Sequence, residues 1–206
     1  MKNTDCPAHS ELRQGVSRRD FVKLSSIATA AAAVPSVLLG RTATVHPAEK
    51  RLAFYNLHTG EHLKTVYWAK GRYIPGALKE INWILRDYRR NAVKPIHLRL
   101  LDLLYELDRK LETRQPFHII CGYRTPATNE YLREHTAGVA KHSLHMEAKA
   151  VDIRIPGCHL AALQRAALAM QDGGVGIYPI SDFVHVDVGR VRHWTFPPAT
   201  QRARQS

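Results

Sequence analysis

A chain of 206 residues has room for one compact domain plus terminal extensions, and its 45% hydrophobic and 23% charged residues exclude a wholly disordered polypeptide. Its 30 Lys and Arg against 18 Asp and Glu give a net charge of +12, a field suited to a polyanion such as nucleic acid, an anionic membrane or an acidic polymer. No zinc-finger spacing, RNA-binding signature or long Arg-rich arm is present, which points away from nucleic acid.

The N-terminus specifies a compartment. "SRRDFVK" at residues 17–23 pairs two arginines with Phe21 and Lys23, and the Ala-rich apolar run "LSSIATAAAAVPSVLLG" follows at 24–40. A charged head before a modest apolar run is the architecture of a signal peptide, and the paired arginines resemble a twin-arginine export signal. The expectation is a signal over residues 1–43 with cleavage between 41 and 50, read by the twin-arginine machinery, and a periplasmic mature protein. Pro35 interrupts a run of about the minimum length for a membrane span, so an uncleaved signal segment would be the chain's only membrane anchor. Without the six basic and three acidic side chains of the first 43 residues, the remainder still carries +9. Cys121 and Cys158 remain in the mature chain, and an oxidising compartment permits a bridge that spacing alone does not establish.

"RLAFYNLHTGEHLKTVYW" reads as two strands around His58, Thr59 and Gly60. "PGALKEINWILRDYRR" has apolar residues at helical spacing with Pro75 at its start, and "HLRLLDLLYELDRKLE" continues as an amphipathic helix through Leu100, Leu104, Leu107 and Leu111. "FHIICGYR" is a short strand ending at Gly122, and "PATNEYLREHTAG" a helix punctuated by Pro126 and Gly138. "AVDIRI", "VGIYP" and "FVHVDVG" are strands by β-branching and alternation, with the helix "HLAALQRAALAMQDGG" between the first two. One compact domain over 50–196 and a polar, disordered tail over 197–206 complete the plan, with α+β as the expected class.

Strand parity then brings chemistry forward. In "AVDIRI" the aliphatic Val151, Ile153 and Ile155 share one face, and Asp152 lies on the other; in "FVHVDVG" His185 and Asp187 oppose Val184, Val186 and Val188. If the two strands are neighbours, Asp152 and His185 converge, with His145 folding in from the preceding loop. Two imidazoles and a carboxylate are a standard open donor set for catalytic zinc. A satisfied polar cluster is the bland alternative, and twelve histidines offer many accidental sets.

The stretches "CGYRTPATNEYLREHTAGVAKHSLHMEAKAVDI" and "GGVGIYPISDFVHVDVGRVRHW" resemble the YcbK-like murein endopeptidases, zinc peptidases related to D-alanyl-D-alanine carboxypeptidases, lysostaphin-type enzymes and hedgehog domains. The resemblance spans most of residues 50–194. It implies a small antiparallel sheet carrying a zinc site, flanked by helices, as in hedgehog and D,D-peptidase domains. The shared pattern of Ser-x-His, an Asp seven residues on, and a later strand His before Trp falls on Ser143, His145, Asp152, His185 and Trp194. Carried over, His145, Asp152 and His185 would hold one Zn2+ per chain. Arg124 would meet substrate or the developing oxyanion, and Ser143 would donate into the site or shape the loop. Asp182 stands where carboxypeptidase relatives have a general-base Glu, one methylene shorter; Asp187, on the His185 face, is the rival base or a carboxylate orienting an imidazole. Relatives commonly have Gly where Ala148 stands, so a positive φ there would strain this loop. Cys121 reads as an inert strand cysteine and Glu147 as solvated. The implied function is an exported zinc peptidase acting on peptide cross-links of peptidoglycan, whose free carboxylates suit the +9 chain. The alternative is a wall-binding or scaffold protein that keeps the fold without turnover.

Overall fold

The computed structural model describes residues 48–197. The expected export signal and all but the first residue of the expected tail lie outside the described residues. Within them no helix is long and apolar enough to cross a membrane.

The chain is α+β. In order it forms β1 (Glu49–Asn56), β2 (His62–Ala69), β3 (Arg72–Tyr73), α1 (Pro75–Ile84), α2 (Leu98–Leu111), β4 (Phe117–Cys121), α3 (Pro126–His135), a 3-10 turn (Leu144–Glu147), β5 (Ala150–Arg154), α4 (Leu160–Met170), β6 (Gly174–Tyr178), β7 (Phe183–Asp187) and β8 (Arg192–Thr195). All eight strands join one sheet in the order β3-β2-β1-β4-β5-β7-β6-β8. The expectation of a small antiparallel sheet is therefore corrected. The N-terminal hairpin extends the sheet by pairing β1 parallel to β4, and β8 adds a second parallel pair with β6. Neither pairing has a local sequence signal, because both are long-range.

The two faces of this sheet are used differently. Val151, Ile153, Val184 and Val186 point into a core with Leu163 and Ala167 of α4, where the apolar stripe of α2 (Leu100, Leu101, Leu104, Leu107 and Leu111) is also buried. Each such leucine contributes on the order of 1.5–3 kcal/mol by leaving water. The opposite face of β5 and β7 presents Asp152, His185 and Asp187.

α1 ends at Ile84, six residues before the end of the stretch read as helical. Its last carbonyls are taken by other partners: Asn56 Nδ2 donates to Ile84 O at 2.9 Å and Tyr123 N to Leu85 O at 2.7 Å. The following Asp87 turns the chain sharply through a bridge to Ala92, and its carboxylate accepts from Arg89 N, Thr125 N and Thr125 Oγ1. Short acidic side chains that bond backbone locally compete with helix in this way. The same contact requires glycine at 122, where a Cβ would sit 2.4 Å from Leu85 O. The helix end thus fixes the loop that leads from β4 toward the polar face.

Candidate functional site

Asp152 and His185 are directly opposite one another in the antiparallel β5/β7 ladder, so alternation places both side chains on the same face. His145 arrives from the 3-10 turn, whose first residues are held by Ser143: its Oγ accepts from His145 N at 3.3 Å as an N-cap. His145 Nε2, His185 Nδ1 and Asp152 Oδ1 then form a triangle with sides of 3.1, 2.9 and 3.3 Å. All three residues are buried.

The outer ring atoms determine which nitrogens face inward. His145 Nδ1 lies 2.8 Å from Gly122 O, and a carbonyl only accepts, so this nitrogen carries the proton. His185 Nε2 lies 3.0 Å from the Asp187 carboxylate and carries its proton for the same reason. In the neutral form that metal ligation requires, rings in these tautomers aim two nitrogen lone pairs and a carboxylate oxygen at one point. Hydrogen bonds cannot satisfy three converging acceptors, whereas a divalent cation does. Tetrahedral zinc with bonds of about 2.0–2.1 Å separates its donors by about 3.3 Å. The donor set and its dimensions fit such an ion.

Asp187 anchors the far side of this arrangement. It is fully buried and accepts from His185 Nε2, from Gly174 N and Gly189 N at 3.1 and 2.8 Å, and from both terminal nitrogens of Arg192 at 3.1 and 2.7 Å. Burial opposes its ionisation, but the bonds from His185, Arg192 and Gly189 outweigh that and hold its carboxyl well below the ordinary range. A Cβ on Gly174 would lie 2.4 Å from Asp187 Oδ2, so the carboxylate occupies the space a side chain would take. Burial likewise opposes charge on Asp152 and His145, and their mutual attraction overrides it, lowering the acid's pKa and raising the imidazole's.

A cleft of about 500 Å³ opens over the triad. Its walls include Arg124, Arg89, His142, Ser143, Tyr178 and Trp194. The Trp194 ring stands 5.1 Å from the His185 ring, and its Nε1 donates to Tyr178 Oη at 3.1 Å. Arg124 is buried, with Nη1 bound to Asn129 Oδ1 at 3.2 Å and its backbone N to His145 O at 3.2 Å, while Nε has no hydrogen-bond partner. Arg124 also lines the cleft, so this buried, unpaired donor lies in a residue that borders the triad's opening.

Asp182, expected as the base, is not brought to this site. It sits in the turn before β7 with φ +53, its side chain is 64% exposed, and it pairs with Arg154 Nη1 at 3.2 Å. It lines a separate recess of about 300 Å³ with His118, Cys158 and Leu160. Three residues before His185, it stands at odd spacing, and the left-handed turn leaves it on the side of the recess rather than of the triad. Glu147 is exposed and paired with Lys149 at 2.7 Å. Ala148 does adopt the left-handed conformation, φ +54, closing the 3-10 turn.

Sequence reasoning undervalued Cys121. A bulge between Ile119 and Cys121 places Cys121 opposite Asp152, and its Sγ lies within 4.8 Å of the His145 and Asp152 donor atoms. Bulges re-aim side chains beside functional sites, and only pairing reveals them. Neither Cys121 nor Cys158 forms a disulfide.

Residues 44–194 match the family model described as peptidoglycan L,D-endopeptidase MepK. The peptidoglycan L,D-endopeptidase MepK of Escherichia coli strain K12 is 42% identical over 178 residues, covering 86% of this chain and 97% of that protein. The probable peptidoglycan L,D-endopeptidase MepK of Haemophilus influenzae is 36% identical over 179 residues, covering 86% and 95%. No solved structure matches the chain. The family match runs from before β1 to Trp194, across every side chain of the cluster, and this chain belongs to the peptidoglycan L,D-endopeptidase MepK family.

Proposed function

We propose that this protein is a zinc-dependent peptidoglycan endopeptidase, exported to the periplasm by its twin-arginine signal. The observation that carries the metal reading is the convergence of His145 Nε2, His185 Nδ1 and Asp152 Oδ1, each imidazole locked by a partner on its other nitrogen. These three residues would hold the ion. When bound, zinc supplies Lewis acidity that polarises an amide carbonyl and acidifies water.

The chain's own residues do the rest. Gly122 O and Asp187 keep the two imidazoles in the orientation and tautomer needed, which preserves donor geometry through a catalytic cycle. Arg124 Nε, unpaired and buried at the cleft wall, donates to the oxygen on which charge develops as the amide is attacked. Tyr178 and Trp194 narrow the cleft and exclude bulk water from the buried face of the triad. Among the described residues lining the cleft, Asp152 is the only acid, against Arg89, Arg124 and Arg192. This balance draws in the free carboxylates of peptidoglycan stems. The names of the related proteins support L,D-bonded cross-links as the bonds cut.

Incubation of the protein from residue 44 onward with defined cross-linked muropeptides tests this reading. L,D-linked dimers should fall to monomers, stop with chelator and resume with zinc, while D,D-linked dimers persist. Intact dimers under every condition, with one zinc per chain, would instead establish the scaffold alternative.

A further inference from the structure

Two overlapping donor sets meet at this face of the sheet. One is the tight triangle of His145, Asp152 and His185; the other is His145, Asp152 and Cys121, whose donor atoms all lie within 4.8 Å of one another. The sulfur is there because the bulge in β4 pairs Cys121 with Asp152, and Cys121 lines the same cleft as the triad. The thiol makes one long hydrogen bond, 3.6 Å, to the neighbouring Gly122 O, and its other interaction is with His145, itself a member of the triad. Cysteine has a single side-chain rotor, and turning it moves Sγ without disturbing the strand.

We propose that Cys121 would serve, in the resting protein, as a fourth, sulfur donor to a metal ion held by His145, Asp152 and His185. This rests on the metal reading above. Ligation forms one S–metal bond and releases the thiol proton to solvent, so metal uptake liberates one more proton than in a protein lacking the sulfur. A site with two nitrogens, one oxygen and one sulfur is closed, as structural zinc sites are, and opens only when the thiolate leaves. Sulfur also shifts the preference of the site toward softer ions such as zinc and away from magnesium or calcium. Substrate entering the cleft therefore competes with Cys121, and removing the sulfur should raise activity at low substrate while weakening metal retention.

X-ray absorption at the zinc edge of the wild-type protein tests this without any substitution. The expected spectrum contains one sulfur scatterer at about 2.3 Å beside nitrogen and oxygen at about 2.0–2.1 Å. Cobalt-loaded wild type should show a near-ultraviolet sulfur-to-cobalt charge-transfer band that C121S lacks, with C121S still binding one cobalt per chain at an affinity lower by on the order of tenfold. One metal per chain with no sulfur shell, or superimposable cobalt spectra of wild type and C121S, would overturn the role of Cys121 and leave the three-residue site intact. A protein that retains no metal would overturn both.

Discussion

Two carboxylates on one hairpin, Asp182 and Asp187, meet opposite fates. Asp187 is completely buried, accepts hydrogen bonds from His185, Gly174, Gly189 and Arg192, and aligns an imidazole of the triad. Asp182 is largely in solvent and holds one ion pair to Arg154. They stand five positions apart in the sequence, yet only one belongs to the site. The difference is made by backbone: Asp187 lies in β7 two residues from His185 and shares its face, whereas Asp182 occupies a left-handed turn before the strand, at odd spacing from His185. Burial adds the second half of the lesson, because an acid sealed from water must be satisfied completely and so becomes rigid enough to position another group.

The sharpest way to break this contrast is Asp187→Ala. It strips a buried partner from His185 and Arg192, and should cost about 3 kcal/mol or more of stability. Zinc affinity should fall about 10–100-fold, as measured by competition with a chromophoric chelator. An unchanged affinity would remove Asp187 from the site. Asp87 offers a second buried acid for comparison, bonded to Thr125 in the loop beside Arg124 rather than to the triad. Burial raises its pKa, but bonds from Thr128, Thr125 and Arg89 more than reverse this and leave it below the ordinary value. A depressed folded-state pKa means its contribution is present above the unfolded value near ~4 and is lost as pH falls through the folded value. Asp87→Asn should therefore destabilise by about 1.5–3 kcal/mol at pH 7 and by less under acid, flattening the acid limb of a stability–pH curve. A parallel displacement of the whole curve would contradict this.

Asp182→Ala should change stability by no more than about 0.5 kcal/mol, since exposed ion pairs contribute little. Cleavage should stay near wild type; a loss of a hundredfold or more would restore Asp182 as the base. The smallest effect is expected at Ala148. Glycine there would relieve a left-handed alanine, worth about 1 kcal/mol, but would remove a buried methyl worth about 0.8 kcal/mol. Ala148→Gly should thus leave the melting temperature and cleavage rate close to wild type, and a large gain in rate would show that this loop limits activity.

Much of this was legible from residues alone. The Val/Ile alternation around Asp152 and His185 specified which face each side chain takes, and β5 and β7 are indeed neighbours with those two residues in register. The loop histidine was found by its motif spacing, and its placement depends on the N-cap at Ser143. Four features were not legible. The bulge that turns Cys121 inward and the parallel additions of β1 and β8 depend on pairing between distant segments. The early stop of α1 depends on Asn56 and Tyr123 capturing its carbonyls, and the misplacement of Asp182 on a turn conformation that composition does not announce.

The central claim, that His145, Asp152 and His185 hold the ion on which cleavage depends, is tested most directly by titrating zinc into chelator-stripped protein while following muropeptide cleavage. The account predicts no cleavage at the start, a linear rise, and a break at one zinc per chain, with H145A and H185A giving neither binding nor cleavage. Full activity in the stripped protein, or a break in H145A at the wild-type position, would contradict it.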